Sequence, residues 1–390
     1  MSASYPALSG LIVLEPEAAQ WNEVYAAATR LLAVPTIRTV LKNSYSGVYV
    51  DEYQDCTKDQ HSLIRALAEL LPCRAVGDPL QSIFDFGAER LVDWGVDVYG
   101  LFDALPELST PHRWAEAPGL GKWLMQAREQ LLANEAVDLS GSSVALINPD
   151  PKDVSNALRI LRGQTSKSVN AVAITGFAPQ AHMVAQRNVG YHSLEPIDCP
   201  DLLQWTRTID DADPLKKAHR VLQIAQQCFT KMSDLSTDIA AIGRGEPLDP
   251  GKGKFAAMRE AVKFLVDTGT PQALATLIDR VDEQCAKQGR LYRSEAWTDF
   301  VRSARAFEQA QQETFRKAAW ARRQAFRSNG RRATSCCVGR PVLIKGLQFI
   351  HAIVLHPGTC SREELYVSLT RGRLSLAIVT TGTQLRPKVQ

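Results

Sequence analysis

The sequence lacks the patterns that mark membrane, secreted and zinc-binding proteins. No apolar run approaches the roughly 20 residues that a membrane-spanning helix needs. The apolar run Leu11–Leu14 has no basic region before it, so we expect no signal peptide. The eight cysteines include no CxxC pair, which predicts neither a zinc site nor a disulfide framework. We therefore expect a cytoplasmic protein that contacts no membrane.

The chain also lacks a strong charge bias, so its net charge does not identify a partner. The 390 residues carry a formal net charge of +3, and 22% of them are charged. With 45% hydrophobic residues, the composition is typical of a folded chain long enough for two or three domains. A nucleic-acid-binding surface would have to come from local clusters of basic residues.

Two carboxylates, Asp51 and Glu52, directly follow the apolar run Val48-Tyr49-Val50. A buried parallel strand that ends at the carboxyl edge of an α/β sheet has this pattern. An Asp at such an edge holds Mg²⁺ directly or through water, and a following Glu polarises a water for attack on a phosphate. For the acid pair alone, a strand that runs out into a polar loop is an equally good interpretation.

A second strand end about twenty residues later favours the functional interpretation. Residues 74–84 carry Gly77 and Asp78 at the tip of an apolar run and Gln81 just beyond it. Between the two strand ends, apolar residues recur at helical spacing over residues 60–71. Strand, helix and strand in this order predict a βαβ unit with its polar groups at one edge.

Four segments of the chain resemble motifs of the UvrD/Rep-type superfamily 1 DNA helicases. Residues 50–55 (VDEYQD) and 77–84 (GDPLQSIF) are similar to motifs II and III. Residues 343–349 (LIKGLQF) resemble motif V, and residues 365–373 (LYVSLTRGR) resemble motif VI. The four segments follow the order of the family and bracket most of the chain.

The resemblance implies an α/β fold with two RecA-like parallel-sheet domains, the first incomplete, and an all-helical insertion in the second. We predict the partial first domain over residues 1–135 and the first part of the second domain over 136–199. The insertion follows over 200–330, where helical patterns succeed one another, and the second domain is completed over 331–390. One of the predicted helices in the insertion spans residues 294–327.

Within the first domain, the resemblance assigns a role to each matching residue. Asp51 matches the acid that binds Mg²⁺, and Glu52 matches the general base; both acids are predicted at the metal. Gln81 matches the residue that senses the γ-phosphate and relays its presence to DNA. Phe84 and Phe86 occupy the places of aromatic residues near bound single-stranded DNA, where an aromatic ring stacks a base. Core filling is the other interpretation of both phenylalanines.

The later segments supply positive charge and a nucleotide contact. Arg113 is the one residue that matches motif IV of the family, whose Arg contacts the γ-phosphate; a surface role is its alternative. Arg371 resembles the arginine finger of motif VI, which neutralises charge on a phosphoryl group from across the interdomain cleft. Lys345 and Gly346 match motif V, whereas Gln348 replaces a Glu expected near the nucleotide ribose.

The most basic stretch of the chain lies at the end of the predicted insertion. Seven basic residues fall within seventeen positions that contain no acid: Arg316, Lys317, Arg322, Arg323, Arg327, Arg331 and Arg332. Such a stretch suits a nucleic-acid phosphate backbone, and we predict DNA contacts from Arg316, Arg322 and Arg323. A solvated helix face is the alternative.

No GxxxxGK[ST] phosphate-binding loop occurs in the sequence. Such a loop supplies backbone donors, a Lys for the β- and γ-phosphates and a Ser or Thr for Mg²⁺. Gly119-Leu120-Gly121-Lys122 lacks the final Ser or Thr, and we predict a surface turn there. Because the family carries this loop well before motif II, we expect the chain to lack the front of its first domain and to hydrolyse ATP poorly.

Two functions follow from these observations. The first is an ATP-dependent DNA helicase that translocates on single-stranded DNA, with ATP and Mg²⁺ as cofactors and single-stranded or partly duplex DNA as the partner. The second is a catalytically inactive remnant of such a helicase. It would bind nucleic acid, or a protein partner through the helical insertion.

Overall fold

The computed structural model of the protein describes residues 21–84, 91–108, 110–166, 169–251, 253–329 and 336–388. The chain divides into two compact units. Unit 1 covers residues 1–111 and 362–366, and unit 2 covers residues 112–361 and 367–390. Both units contain parallel strands and helices, which confirms the predicted α/β class. The RecA-like assignment and the domain boundaries at 135, 199 and 330 stay predictions.

Unit 1 is built on a short parallel sheet. Strands β1 (Val48–Val50) and β2 (Cys73–Ala75) pair in parallel and are joined by helix α3 (Lys58–Ala68), as the sequence predicted. Helices α1 (Trp21–Leu31) and α2 (Pro35–Ser44) precede β1. The parallel pairing brings the carboxyl ends of β1 and β2 side by side.

Helix α3 begins earlier than the predicted Gln60 because Thr57 caps it. The Thr57 hydroxyl accepts a hydrogen bond from the Gln60 backbone N at 3.3 Å, and the Gln60 side chain accepts one from the Thr57 N at 2.8 Å. This reciprocal pair satisfies two backbone donors that the first helical turn leaves unpaired.

The side chain of Tyr53, directly beyond β1, lies at the centre of a core cluster of unit 1. It is fully buried and packs edge-on against Phe102 and Trp94, with ring centroids 5.5 and 6.4 Å away. Its hydroxyl lies 2.8 Å from His61 Nδ1. Burial raises the pKa of Tyr53 far above its usual value and raises that of the nearby Cys56 thiol to about 11. This core fixes the chain immediately after the predicted acid pair.

Unit 2 contains a fully parallel sheet whose described strands are β4 (Ala145–Ile147), β5 (Ala171–Ile174), β6 (His192–Ser193), β7 (Cys336–Gly339), β8 (Phe349–Val354) and β9 (Gly372–Val379). These six strands lie in the order β4-β9-β8-β5-β7-β6. Every residue of β5 and β7 is buried, which is typical of inner strands covered on both faces.

Within the described residues, helices and a small second sheet accompany these strands. The helices are α4 (Pro118–Leu132), α5 (Pro151–Gly163), α6 (Ala178–Arg187), α14 (Pro341–Ile344) and α15 (Arg362–Leu369), and the first five residues of α15 belong to unit 1. Strands β3 (Val137–Asp138) and β10 (Gln384–Leu385) pair antiparallel. The surface turn predicted over Gly119–Lys122 is wrong, because these residues form the first turns of α4, with Leu120 and Gly121 buried.

A helical region separates β6 from β7 along the chain. It contains α7 (Pro200–Asp210), α8 (Pro214–Cys228), α9 (Ser236–Gly243), α10 (Ala256–Thr268), α11 (Pro271–Gln288), α12 (Ser294–Glu308) and α13 (Phe315–Asn329). Strands β6 and β7 pair with each other, so the chain leaves the sheet at one strand and returns to its neighbour. The helices share one apolar core that includes Trp205, Trp297 and Phe300.

The single helix predicted over residues 294–327 is wrong, because the structure breaks it into α12 and α13. Ala310 lies in the left-handed region with φ +51° and ends the first helix. The Asp210 carboxylate, at the end of α7, accepts hydrogen bonds from the backbone N of Phe315 at 3.0 Å and of Arg316 at 2.9 Å. A residue distant in sequence therefore caps α13 and sets where it begins.

Among the described residues, no single helix has both the length and the apolar character needed to cross a membrane. Helices α1 and α2 reach the required length and composition only when taken together, and they are bent by 89° relative to each other.

Candidate functional site

The acids predicted for metal binding and water activation lie at the carboxyl end of β1. Asp51 is exposed, and its Oδ1 accepts a hydrogen bond from the Glu52 backbone N at 2.8 Å. Glu52 is half-buried and adopts the left-handed conformation, with φ 53° and ψ 42°. Non-glycine residues rarely take this conformation, and it persists only where surrounding contacts hold it.

The side chain of Gln54 joins the ends of the two strands. It is 3% exposed, its Nε2 donates to Glu52 Oε2, and its Oε1 accepts from the Asp78 backbone N at 2.9 Å. Asp78 follows β2, and its Oδ2 accepts from Gln81 Nε2 at 3.1 Å. Glu52 and Gln81, which the sequence predicted as parts of one site, are thus linked through Gln54 and Asp78, whose linking roles the sequence did not predict.

Gly77 is required by the close packing at this edge. A Cβ on Gly77 would lie 2.5 Å from Gln54 Oε1 and 2.9 Å from the Trp94 ring. Trp94 belongs to a short π-helical segment, Trp94–Val98, that packs beside Tyr53. The glycine of the GDPLQSIF segment therefore leaves space for the Gln54 amide.

In unit 2, the residues matched to motifs IV and VI meet at the start of β9. The Arg113 guanidinium donates to the Thr370 carbonyl at 3.2 Å, and Trp114 Nε1 donates to the Gly372 carbonyl at 2.9 Å. Arg113 also lies over the Trp114 ring, 5.6 Å from its centre. Arg371 lies between the two carbonyls in sequence, so the structure brings Arg113 and Arg371 to one corner of unit 2.

The Arg371 side chain is buried and hydrogen-bonded within unit 2. Only 1% of the residue is exposed. Its guanidinium donates to the carbonyls of Val367 at 2.8 Å and Leu347 at 3.1 Å, and to the Thr370 hydroxyl at 2.8 Å. In this arrangement the guanidinium fastens the turn before β8 to the end of α15. Because the residue is buried, a phosphate-contacting role for Arg371 would need its guanidinium to become exposed.

The motif V residues form the turn between α14 and β8. Gly346 has φ +75°, so a left-handed turn requires glycine there. Lys345 is half-buried directly after α14, and Gln348 is exposed just before β8. The Leu347 carbonyl between them accepts from Arg371, which places motifs V and VI in contact.

Two arginines of the basic stretch on α13 are paired with an acid of the neighbouring helix. Arg323 is 2% exposed, and it donates to Asp299 Oδ2 and to the carbonyls of Pro196 and Ile197 at 2.6–2.7 Å. Arg322 donates to the other oxygen of Asp299 at 3.0 Å.

Of the three arginines predicted to contact DNA, Arg316 is exposed, Arg322 is half-buried and Arg323 is buried. The buried Arg323 is held by protein acceptors, so its predicted DNA contact finds no support in this geometry. Phe84 is half-buried. Phe86, Arg331 and Arg332, and the side chain of Arg327, lie outside the described part of the chain.

A cluster with metal-ligand chemistry occurs near the start of the helical region. Ligand atoms of His182, Glu195 and Asp201 lie within 4.8 Å of one another. The buried Arg293 already donates to both Glu195 oxygens at 2.7 and 2.9 Å and to Asp201 at 2.7 Å. Burial and the Arg293 charge hold the pKa of His182 below its usual range. An arginine that neutralises both acids indicates a structural ion-pair cluster rather than a metal site.

Sequence reasoning missed the residues that hold the predicted ones in place. Gln54 and Asp78 stand inside the quoted motifs, so their positions were visible, but their roles depend on which strand ends meet. Thr370 stands inside the quoted motif VI segment, but its contacts, through its carbonyl to Arg113 and through its hydroxyl to Arg371, depend on the tertiary structure. Asp299 carries no sequence signal, because its partner lies on the next helix.

Residues 13–90 match the family model of the UvrD/REP helicase N-terminal domain. This stretch is about a fifth of the chain and contains β1, α3, β2 and the Glu52–Gln54–Asp78–Gln81 contacts. No curated protein sequence matches the chain. The match supports a UvrD-type helicase relationship, and the α/β architecture with parallel sheets is consistent with a helicase-like fold.

Proposed function

We propose that the protein is a UvrD-like, ATP-dependent DNA helicase or single-strand translocase, with two RecA-like domains. The observation that carries the proposal is the hydrogen-bonded edge of unit 1. There, the acids after β1 and the polar residues after β2 are joined through Gln54, within the stretch that matches the UvrD/REP helicase N-terminal domain. Polar groups at adjacent carboxyl ends of parallel strands are where α/β proteins bind nucleotides.

The acids at this edge fit a magnesium–nucleotide complex. Asp51 is exposed and offers a carboxylate at a strand end, which suits a hard cation that keeps several waters. Mg²⁺ held there would neutralise charge on the nucleotide phosphates. Glu52, held by Gln54, would accept a proton from the attacking water, and Gln81, held by Asp78, would hydrogen-bond a phosphate oxygen.

In unit 2, we propose that Arg113 and Arg371 stabilise phosphate charge, and that Lys345, Gly346 and Gln348 contact the nucleotide. Support comes from the convergence of motifs IV, V and VI on the Thr370–Gly372 turn and the Leu347 carbonyl. For single-stranded DNA we propose contacts from Phe84, Phe86, Arg316 and Arg322. A cytoplasmic location and a protein partner for the helical region remain part of this proposal.

We expect the 390-residue chain to hydrolyse ATP slowly, because no phosphate-binding loop lies within its sequence. The test is a DNA-stimulated ATPase assay at low salt with Mg²⁺, on the wild type and on Glu52→Gln. Slow turnover that Glu52→Gln abolishes would support an ATPase. Turnover on the order of 10 s⁻¹, an ordinary enzymatic rate, would contradict the expected impairment but not the ATPase itself.

The second function, an inactive nucleic-acid-binding remnant, is favoured by the exposed basic residues of α13. It predicts single-stranded DNA binding with no ATP turnover at any protein concentration. Fluorescence anisotropy with a labelled oligonucleotide over a salt series would measure the binding. Arg316→Gln should remove one phosphate contact. The slope of log affinity against log salt concentration should therefore become less steep by roughly 0.7, the value per contact for a single strand. Lys216→Gln, which removes an exposed charge on α8, is the control for general charge.

A further inference from the structure

Gln54 occupies a position where both ends of its amide group are used. Its Nε2 donates to the Glu52 carboxylate after β1, and its Oε1 accepts from the Asp78 backbone N after β2. The side chain is almost fully buried, and the Ser82 hydroxyl donates to the backbone carbonyl of Gln54 at 3.3 Å. No other residue type presents one donor and one acceptor at this reach in the same orientation.

The hydrogen bonds continue beyond Gln54 to the second predicted site residue. Asp78 Oδ1 accepts from the Leu80 backbone N at 3.2 Å, and Asp78 Oδ2 accepts from Gln81 Nε2 at 3.1 Å. Glu52, Gln54, Asp78 and Gln81 therefore form one connected chain across the edge of the β1–β2 sheet. Through these hydrogen bonds, a shift of the Glu52 carboxylate would change the position of the Gln81 amide.

The packing around Gln54 holds the side chains of this hydrogen-bonded series in place. The bare Cα of Gly77 admits the Gln54 oxygen, and the Trp94 ring closes the other side. A shorter or apolar side chain at position 54 would leave the Asp78 N–H and a Glu52 oxygen without these partners. A carboxylate there would keep the bond from Asp78 N and lose the one to Glu52.

We propose that Gln54 is a positioning residue, which orients the Glu52 carboxylate and couples it through Asp78 to Gln81. The role rests on the proposed ATPase function of this edge. Gln54 would not touch the nucleotide. Its effect would be to fix the direction in which the Glu52 carboxylate accepts a proton. The backbone of Glu52 is itself in a strained, left-handed conformation.

The first experiment tests the contact itself and needs no ATP turnover. It measures melting temperature at pH 5 and pH 8 for the wild type, Gln54→Glu and the exchanged pair Glu52→Gln/Gln54→Glu. In Gln54→Glu two carboxylates face each other, so the pKa of one is raised above its unfolded value. Its stability loss relative to the wild type should therefore be small at pH 5 and large at pH 8.

The exchanged pair restores one amide facing one carboxylate and should recover much of the loss at pH 8. The other charged groups at these strand ends, Asp51, Asp55 and Asp78, are the same in all three proteins and cancel in the comparison. An equal loss of stability for Gln54→Glu at both pH values would contradict the Gln54–Glu52 contact. So would an exchanged pair that recovers no stability at pH 8.

The second experiment tests the role in turnover. In steady-state assays at protein concentrations high enough to measure slow hydrolysis, Gln54→Ala should lower kcat about 10- to 100-fold and leave KM for ATP within about twofold. Ser62→Ala, an exposed residue of α3, is the matched control and should leave both constants unchanged. A Gln54→Ala kcat equal to that of the wild type would overturn the proposal.

Failure of the proposed function would look different. A wild type without Glu52-dependent turnover would overturn the ATPase and, with it, the role of Gln54 in catalysis. The exchanged pair would then still report whether the contact exists.

Discussion

At the scale of single residues, the site is defined by one strained backbone position. Glu52 has φ 53°, and its neighbours hold it there: Asp51 binds its backbone N, and Gln54 binds its carboxylate. Left-handed backbone costs a non-glycine residue roughly 1–2 kcal/mol. In this conformation the Glu52 carboxylate accepts a hydrogen bond from the Gln54 side chain.

Because of this strain, we expect glycine at position 52 to stabilise the protein more than alanine does, which is the reverse of the usual order. Glu52→Gly and Glu52→Ala both remove the carboxylate, so their difference isolates the backbone. We expect the glycine variant to be more stable by about 1 kcal/mol, since glycine adopts this conformation without a Cβ clash. Hydrogen exchange of two backbone amides would measure this difference: the Tyr53 N–H, which donates to the Val76 carbonyl, and the Val76 N–H, which donates to the Val50 carbonyl. A more stable alanine variant would show that the backbone relaxes at this position.

At the scale of elements, buried arginines fasten the link between the sheet of unit 2 and its helical region. Residues 194–199 join β6 to α7. Arg293 holds this link through Glu195, and Arg323 holds it through the carbonyls of Pro196 and Ile197. Arg323 also pairs with Asp299 of the preceding helix. The stretch that the sequence marked as basic thus includes a residue that orders the helical region.

Arg322 and Arg323 allow a matched comparison, because they share the partner Asp299 but differ in burial. The Arg323 side chain is 2% exposed and that of Arg322 is 37% exposed. Arg323→Gln should cost about 3–5 kcal/mol because it leaves a buried carboxylate short of its partner. Arg322→Gln should cost less than about 1 kcal/mol. Urea unfolding of both variants would measure the costs, and equal costs would contradict this assignment.

At the scale of the whole molecule, buried and half-buried histidines link stability to pH. Burial lowers the pKa of six histidines below the ordinary value of 6.5: His61, His182, His192, His219, His351 and His356. A histidine whose folded pKa is depressed contributes stability above pH 6.5, and that contribution is lost as the pH falls through the folded pKa. The unfolded chain takes up the protons first.

We therefore expect the melting temperature to be nearly constant between pH 7 and 8 and to fall between pH 6.5 and 5.5. Because burial is the largest cause of these pKa shifts and nearby arginine charges are secondary, 0.5 M salt should leave the trend in place. Differential scanning calorimetry over this range would measure it. An unchanged melting temperature from pH 7.5 to 5.5 would contradict the prediction.

The two units also differ in how much core they contain. The described part of unit 1 has a two-stranded sheet, whereas unit 2 has a six-stranded sheet and a helical region with its own apolar core. A two-stranded sheet is marginal by itself. We expect a fragment of residues 112–390 to unfold cooperatively on heating and a fragment of residues 1–111 to show no sharp transition. Circular dichroism would test both, and a sharp transition in the smaller fragment would contradict the expectation.

Much of the local structure could be predicted from sequence periodicity. Helix α11 begins and ends where its pattern, with Pro271 at the first turn and Gly269 before it, predicts. The βαβ unit of unit 1 was equally visible, because an apolar run followed by polar residues is a local signal. The break at Ala310 was not visible, since the Asp210 carboxylate that caps α13 comes from another helix.

By itself, the sequence determined that parallel strands deliver Asp51, Glu52, Asp78 and Gln81 to strand ends, because side-chain alternation and helical spacing are properties of neighbouring residues. Only the tertiary structure decided that Gln54 joins those ends, that Arg371 is buried among carbonyls, and that Asp299 neutralises part of the basic stretch. Such contacts join residues far apart along the chain, and their energies depend on burial and distance, which no local pattern encodes.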